Sequence, residues 1–334
     1  MVSRSVRAGI AALVAFAASM SAAWADDVLK VAAVFGTPVE EPWVARIHEA
    51  LLDAQQEHGI RYSWSDDVAA EDLPGTLRSY AEQGYDLITG DSFAAEAAAR
   101  EVAKDYPDIA FVFGSGGGPS APNVSVFDNW LHEPAFLAGM IAGGITRSDR
   151  VGAVAAMPIP EVNRLVNAFC SGALEANPDI ACEVAYIDAF FDPPRARAVA
   201  RDMIEAGVDV LYAERLGAIE AAAEAGIAAI GNLADQAALA PDTVVTSVVW
   251  DMRPTFAFVL EQLRAGSLAP QDLGRLSFMR HGGAALAPYG RWESQLPDQL
   301  KALVAERGQA ILDGTFRISI DEHRPEGSAV RNEP

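Results

Sequence analysis

Hydrophobic positions along this chain follow two alternating patterns. Short apolar runs recur as LKVAAVF (29–35), DLIT (86–89), IAFVFG (109–114), VSVF (124–127), VGAVAA (151–156), EVAYID (183–188), DVLYA (209–213), AAIGN (228–232) and VVTSVVW (244–250). Between most of them lie longer stretches with helical spacing. Val44, Ile47, Leu51 and Ala54 form one apolar stripe, and helical segments also include SFAAEAAAREVAKDY, EPAFLAGMIAGGI, PEVNRLVNAFCSGALEA and PPRARAVARDMIEAG. Apolar strands without strict polar alternation, each followed by an amphipathic helix, predict an α/β fold with parallel sheets covered on both faces.

The order repeats roughly. Strand, helix, GYDLITGDSF, helix and PDIAFVFG in the first half are echoed by DRVGAVAA, helix, EVAYIDAFFD, helix, AGVDVLYAE, helix and GIAAIGN in the second. Two such arrays predict two Rossmann-like lobes facing each other. In open parallel sheets ligands sit beyond the carboxyl ends of the strands, so the residues just after each strand are the candidates.

Those residues are rich in aromatics and carboxylates. Glu40-Glu41-Pro42-Trp43 follows the first strand, with Pro42 placed to open a helix. Asp91 and Phe93 follow DLIT, Asp128-Asn129-Trp130 follows VSVF, and Phe190-Phe191-Asp192 follows EVAYID. Asp235 and Gln236 follow AAIGN, and Trp250-Asp251 ends VVTSVV. Flat apolar walls with a few polar anchors are what a small-molecule cleft requires. Asp91, Asp128 and Asp192 also suit helix caps, most of all Asp192 before Pro-Pro.

Composition narrows the setting. Arg4 and Arg7 precede the apolar GIAALVAFAASMSA and the small-residue end AWA, so residues 1–25 read as a cleaved secretory signal peptide. This places the mature chain in the periplasm, where the closely spaced Cys170 and Cys182 are candidates for a disulfide. The net charge of −21 argues against nucleic acid and against anionic membrane surfaces. Catalytic signatures are missing. GSGGGP (114–119) has Pro119 where a dinucleotide loop needs glycine, and there is no GxxxxGK[ST], no GxSxG and no HExxH. A non-enzyme without metal or cofactor is expected.

The motifs EEPWVARIHEAL, GDSF, VAKDYPDIAFV, EPAFLAGMIAGGITRSDRVGAVAA, FFDPPRARAVARDMIEAGVDVLY, IGNLADQ, TSVVW and HGGAALAPYG occur in an order that resembles the basic membrane protein (Bmp) family, substrate-binding proteins of ABC transporters. The resemblance covers nearly the whole mature chain. It implies a type I periplasmic binding fold, two α/β lobes joined by a three-strand hinge and closing on a ligand that many members share as a purine nucleoside. The lobes would comprise residues 26–128 with about 246–279, and 129–245 with about 280–334. A membrane permease would be the partner, and the chain would act as a monomer.

Carried over by position, Glu40 and Trp43 match the family's Asp-x-x-Phe, whose ring stacks on the base. Asp188-Ala189-Phe190-Phe191-Asp192 matches its Gly-Ser-Phe-x-Asp, making Phe190 the opposite wall. Glu40, Asp91 and Asn129 are the candidates to read the base edge, with Phe93, Trp130, Trp250 and Asp235 completing the site. Two departures bear on the ligand. Leu233 stands where nucleoside binders often carry a ribose-holding aspartate, and Trp250 where they often carry a lysine. A sugar hydroxyl buried without a partner costs about 1–3 kcal/mol, so a free purine base of the adenine, guanine or hypoxanthine type is expected. A purine nucleoside, or a ligand-sensing role at a membrane receptor, is the alternative.

Overall fold

The computed structural model describes residues 28–91, 96–114 and 117–331. The signal-peptide segment and Phe93 lie outside the described residues. In the first half, β1 (Lys30–Val34), β2 (Arg61–Ser65), β3 (Leu87–Gly90), β4 (Ala110–Gly114) and β5 (Val124–Phe127) form a five-stranded sheet in the order β2-β1-β3-β4-β5, all parallel. Three helices accompany it, α1 (Pro42–His58), α2 (Leu73–Glu82) and α3 (Glu96–Asp105). The strand β2 escaped the sequence pattern because RYSWS lies at the sheet edge, with Tyr62 buried and Trp64 exposed.

The second half builds a seven-stranded sheet in the order β11-β10-β9-β8-β6-β7-β12. Its strands are β6 (Arg150–Ala155), β7 (Ala181–Tyr186), β8 (Val210–Ala213), β9 (Ala228–Leu233), β10 (Val244–Trp250), β11 (Ala284–Leu286) and β12 (Ala329–Val330). Only the β10–β11 pairing is antiparallel. The helices are α4 (His132–Ile145), α5 (Pro160–Ala176), α6 (Pro193–Glu205), α7 (Ala218–Ala225), α8 (Arg253–Arg264) and α9 (Asp298–Leu312).

Helix α4 is apolar on nearly every face, as a fully buried helix must be. It crosses α5 at backbone contact distance. A Cβ on Gly139 would stand 1.9 Å from the Phe169 carbonyl oxygen, and one on Gly172 1.9 Å from that of Phe136. This crossing fixes the first turn of α5, where Glu161 and Arg164 sit. Cys170 on α5 is bridged to Cys182 on β7, tying the helix to its own sheet. By loop-closure entropy the bridge contributes about 3 kcal/mol.

Three crossings join the halves. The first runs from Phe127 to Leu131, between β5 and α4, and the second from Trp250 to Met252, between β10 and α8. Helix α8 packs on α1, and the segment after it lies along β5, where Val126 N–H donates to the Gln271 carbonyl at 3.0 Å and Leu273 N–H to that of Val126 at 2.7 Å. The third crossing returns through two 3₁₀ turns, Gly274–Ser277 and Met279–His281, to β11. The second lobe change expected near residue 246 therefore falls later. Val244–Trp250 pairs with β9 and β11 of the second sheet, and the chain leaves that sheet only after Trp250.

Ser277 fastens all three crossings. Its hydroxyl donates to the Asp128 carbonyl at 2.6 Å and accepts from the Trp250 indole N–H at 2.9 Å. Each crossing is thus anchored to the other two through one buried oxygen.

Candidate functional site

The carboxyl ends of the strands from both sheets converge on the space between the halves. On the first half the wall starts at the N-terminus of α1. Glu41 is the N-cap, its Oε2 accepting from the Trp43 and Val44 backbone N–H groups at 2.9 and 3.0 Å. This directs its carboxyl toward the interlobe space and presents Trp43 in the first turn. The Trp43 ring lies over Gly114, where a Cβ would come within 2.2 Å of it, so only glycine fits there. It packs on Phe127 at 5.9 Å between centroids and 21° between planes, and on Trp250 at 5.0 Å and 42°. Its indole N–H is buried without a partner among the described residues. Asp91, 8% exposed at the end of β3, accepts from the Gly36 N–H at 3.1 Å. Burial, against that hydrogen bond and with Glu41 nearby, lifts its carboxyl to about 6.

The facing wall belongs to the second half. Glu214 and Arg215 directly follow β8 and form a buried ion pair, and Arg215 Nη1 also donates to the Phe190 carbonyl at 2.9 Å. Glu214 Oε2 accepts from the Ala156 N–H at 2.9 Å. Burial works against the charge on Arg215, but Glu214, with Glu41 and Glu161 nearby, holds its pKa above the ordinary value. Asn232 at the end of β9 is committed to the frame. Its Oδ1 accepts from the Tyr212 hydroxyl at 2.8 Å and its N–H donates to Gln236 Oε1 at 2.9 Å.

Glu41, Pro42, Phe190, Arg215, Leu233 and Gln236 are among the residues that enclose one cavity between the halves. Its room is ≈ 10 Å³, about that of a single water. A ring-sized ligand therefore enters only when the halves separate. Closure then brings Glu41 of one half opposite Arg215 of the other.

The hinge side of the space carries a second charged group. Arg164 on α5 pairs with Asp128 across the crossing, reaches Glu322 Oε1 at 3.1 Å, and stacks its guanidinium 4.0 Å from the Trp130 ring centroid. Burial drives the Asp128 carboxyl up even against that contact. Asn129, beside it and 3% exposed, has an amide oxygen buried without a partner among the described residues. Glu161 lies in the first turn of α5 among Asp128, Arg164, Glu214 and Arg215. Burial first, and Asp128 second, raise its carboxyl to about 8.

That shift has a consequence for stability. A Glu161 proton released near pH 4.5 by the unfolded chain is held by the folded protein up to about pH 8, so the folded state binds more protons across this window and stability falls as pH rises. Asp91 acts in the same sense from 3.8 to about 6, while His132, pushed from 6.5 to about 4 by burial, acts in the opposite sense. Above pH 6.5 the His132 effect is spent. The melting temperature is therefore expected to drop by several degrees from pH 6.5 to 8, and Glu161→Gln to flatten that slope. A wild-type melting temperature that climbs over the same interval contradicts the assignment.

The candidates from the sequence separate into three groups. Trp43, Asp91 and Phe190 stand at the interlobe walls, and Asn129, Trp130 and Trp250 belong to the crossings. Glu40 and Asp235 do not reach the space. Glu40 is exposed and turned toward His48, because the cap geometry that aims Glu41 inward points its neighbour out. Asp235 is exposed and closes a turn by accepting from the Ala237 N–H at 3.0 Å. Trp250 is 1% exposed, its indole fastened to Ser277, so it holds the hinge and is not part of an open wall. Glu41, Glu161, Arg164, Glu214 and Arg215 were missed. Glu214 and Arg215 follow DVLYA directly, and the rule of post-strand residues applied there would have found them.

The two-sheet architecture with the cleft at the strand ends is that of periplasmic solute-binding proteins. An ABC transporter solute-binding protein from Conexibacter woesei superposes with a TM-score of 0.71 at 24% identity, over 88% of this chain and 99% of that one. A solute-binding protein of an ABC transporter from Aeropyrum pernix gives 0.74 at 20% identity, over 88% and 94%. Both establish the fold. The family model for PnrA-like ABC transporter substrate-binding proteins matches residues 29–270. The chain belongs to the Bmp family. Among its relatives, a Haloferax volcanii ABC transporter protein named for glucose binding is 34% identical over 79% of this chain and 68% of its own length. A purine-binding protein of Brucella abortus is 28% identical over 88% and 83%. As a Bmp protein, the chain is the substrate-binding component of an ABC transporter, of an extracytoplasmic family that binds small molecules and works with a permease. No helix among the described residues is long and apolar enough to cross a membrane.

Proposed function

We propose that this Bmp protein captures a free purine base in the periplasm by closing its two halves around it, and hands it to a membrane permease. The observation that carries the reading is the character of the two positions where a sugar would need polar partners. Leu233 and Trp250 are each 1% exposed, and the one polar group of Trp250 is spent on Ser277. A ribose there would lose its water without gaining hydrogen bonds, at about 1–3 kcal/mol for each stranded hydroxyl. A flat base makes no such demand. Trp43 and Phe190 stand on opposite halves, and stacking against such faces contributes about 1–3 kcal/mol per contact. The unpartnered Trp43 N–H and Asn129 Oδ1 offer one donor and one acceptor to a ring edge. The purine-binding relative from Brucella abortus supports the ligand class.

A ligand that binds only the folded form raises the melting temperature by mass action. Adenine, guanine or hypoxanthine is expected to raise it more than adenosine, inosine or glucose at equal concentration. A larger shift with a nucleoside, or with glucose alone, overturns the reading.

A further inference from the structure

Three carboxyl groups around the interlobe space have no basic partner among the described residues. Both nearby guanidinium groups are committed, Arg164 to Asp128 and Glu322, and Arg215 to Glu214 and the Phe190 carbonyl. Glu41 uses only Oε2 for its cap, and Asp91 uses Oδ1 for Gly36, which leaves one oxygen on each. Glu161 makes no hydrogen bond among the described residues, although it sits between the two ion pairs. Two of these groups come from the first half and one from the second, so closure surrounds the ligand with acids. Two nine-tenths-buried side chains point to an occupant, Asp91 with its spare oxygen and Asn129 with an unpartnered amide oxygen.

Resting on the base reading above, we propose that Glu41, Asp91 and Glu161 make this a charge-selective site, taking heteroaromatic bases that present N–H donors and carry no negative charge, and rejecting anionic oxopurines. Carboxyl oxygens accept from exocyclic amines and ring N–H groups. An anionic ring brought among them meets like charge in a space too dry to screen it, and like-charge placement at a buried interface is strongly unfavourable.

The test is calorimetric titration of the intact protein with adenine, guanine and urate at pH 7.5, urate being an anion there. The aminopurines are expected to bind at least about 100-fold more tightly than urate. Glu161→Gln, which keeps the shape and removes the charge, should narrow that gap about tenfold. Asp91→Asn on the other half should do the same, and serves if the first variant fails to fold. Urate within tenfold of adenine in the wild type overturns the charge selection and leaves the base reading standing. Binding of glucose or adenosine with no response to any base overturns the base reading and this inference together.

Discussion

Arg164→Met is expected to lower the stability of the protein by about 3–5 kcal/mol, measured by urea denaturation. Arg164 is 3% exposed and serves three segments at once, pairing with Asp128 in the first crossing, with Glu322 in the C-terminal tail, and lying over Trp130. Methionine fills much of the volume but leaves the Asp128 carboxylate buried without its cation. The penalty is that of the stranded charge more than that of the lost contact. Asp128→Asn in the same chain should recover much of the loss, because an amide tolerates the site without a cation. A cost under about 1 kcal/mol for the single change would show that water screens the pair, as at an exposed site.

Trp250→Lys is expected to cost about 4 kcal/mol or more, and not to confer nucleoside binding. Removing a buried tryptophan already costs about 3–5 kcal/mol, and the new ammonium would be buried beside Trp43 and Phe127, centred 5.0 and 6.2 Å from the present indole. The crossing would also lose its link to Ser277 and through it to Asp128. Trp250→Phe separates the two effects. It keeps a ring and loses only the N–H donor, for about 1–2 kcal/mol. Thermal melts of the three proteins and titrations with adenosine check both statements. A stable Trp250→Lys protein that binds adenosine would place residue 250 in the ligand space and not in the hinge.

Trp43 shows how sequence and structure divide the information. Its position at a strand-to-helix junction followed from the apolar run before it and the Val44–Ile47–Leu51 stripe after it. Its neighbours could not be read the same way, since Phe127 and Trp250 lie 84 and 207 positions away along the chain. Glu40 and Glu41 make the point at closer range. Both precede Pro42 and either suits a cap, yet one carboxyl meets the N–H groups of Trp43 and Val44 and its neighbour faces solvent. Trp250 looked like a wall because it ends a strand, and it proved to be a hinge fastening because Ser277 reaches it from the third crossing.

The residues alone determined the alternation of strands and helices, the two parallel sheets and the junctions where a ligand would be met. These depend on side-chain periodicity over a few turns or a few strand residues, and burial of one face enforces them locally. The tertiary structure alone decided which post-strand groups face the cleft, which are consumed by capping or by the hinge, and that Arg164 and Arg215 are already paired. Those outcomes turn on partners brought together from distant segments by closure of the crossings, and on desolvation that acts only once both halves surround the same space.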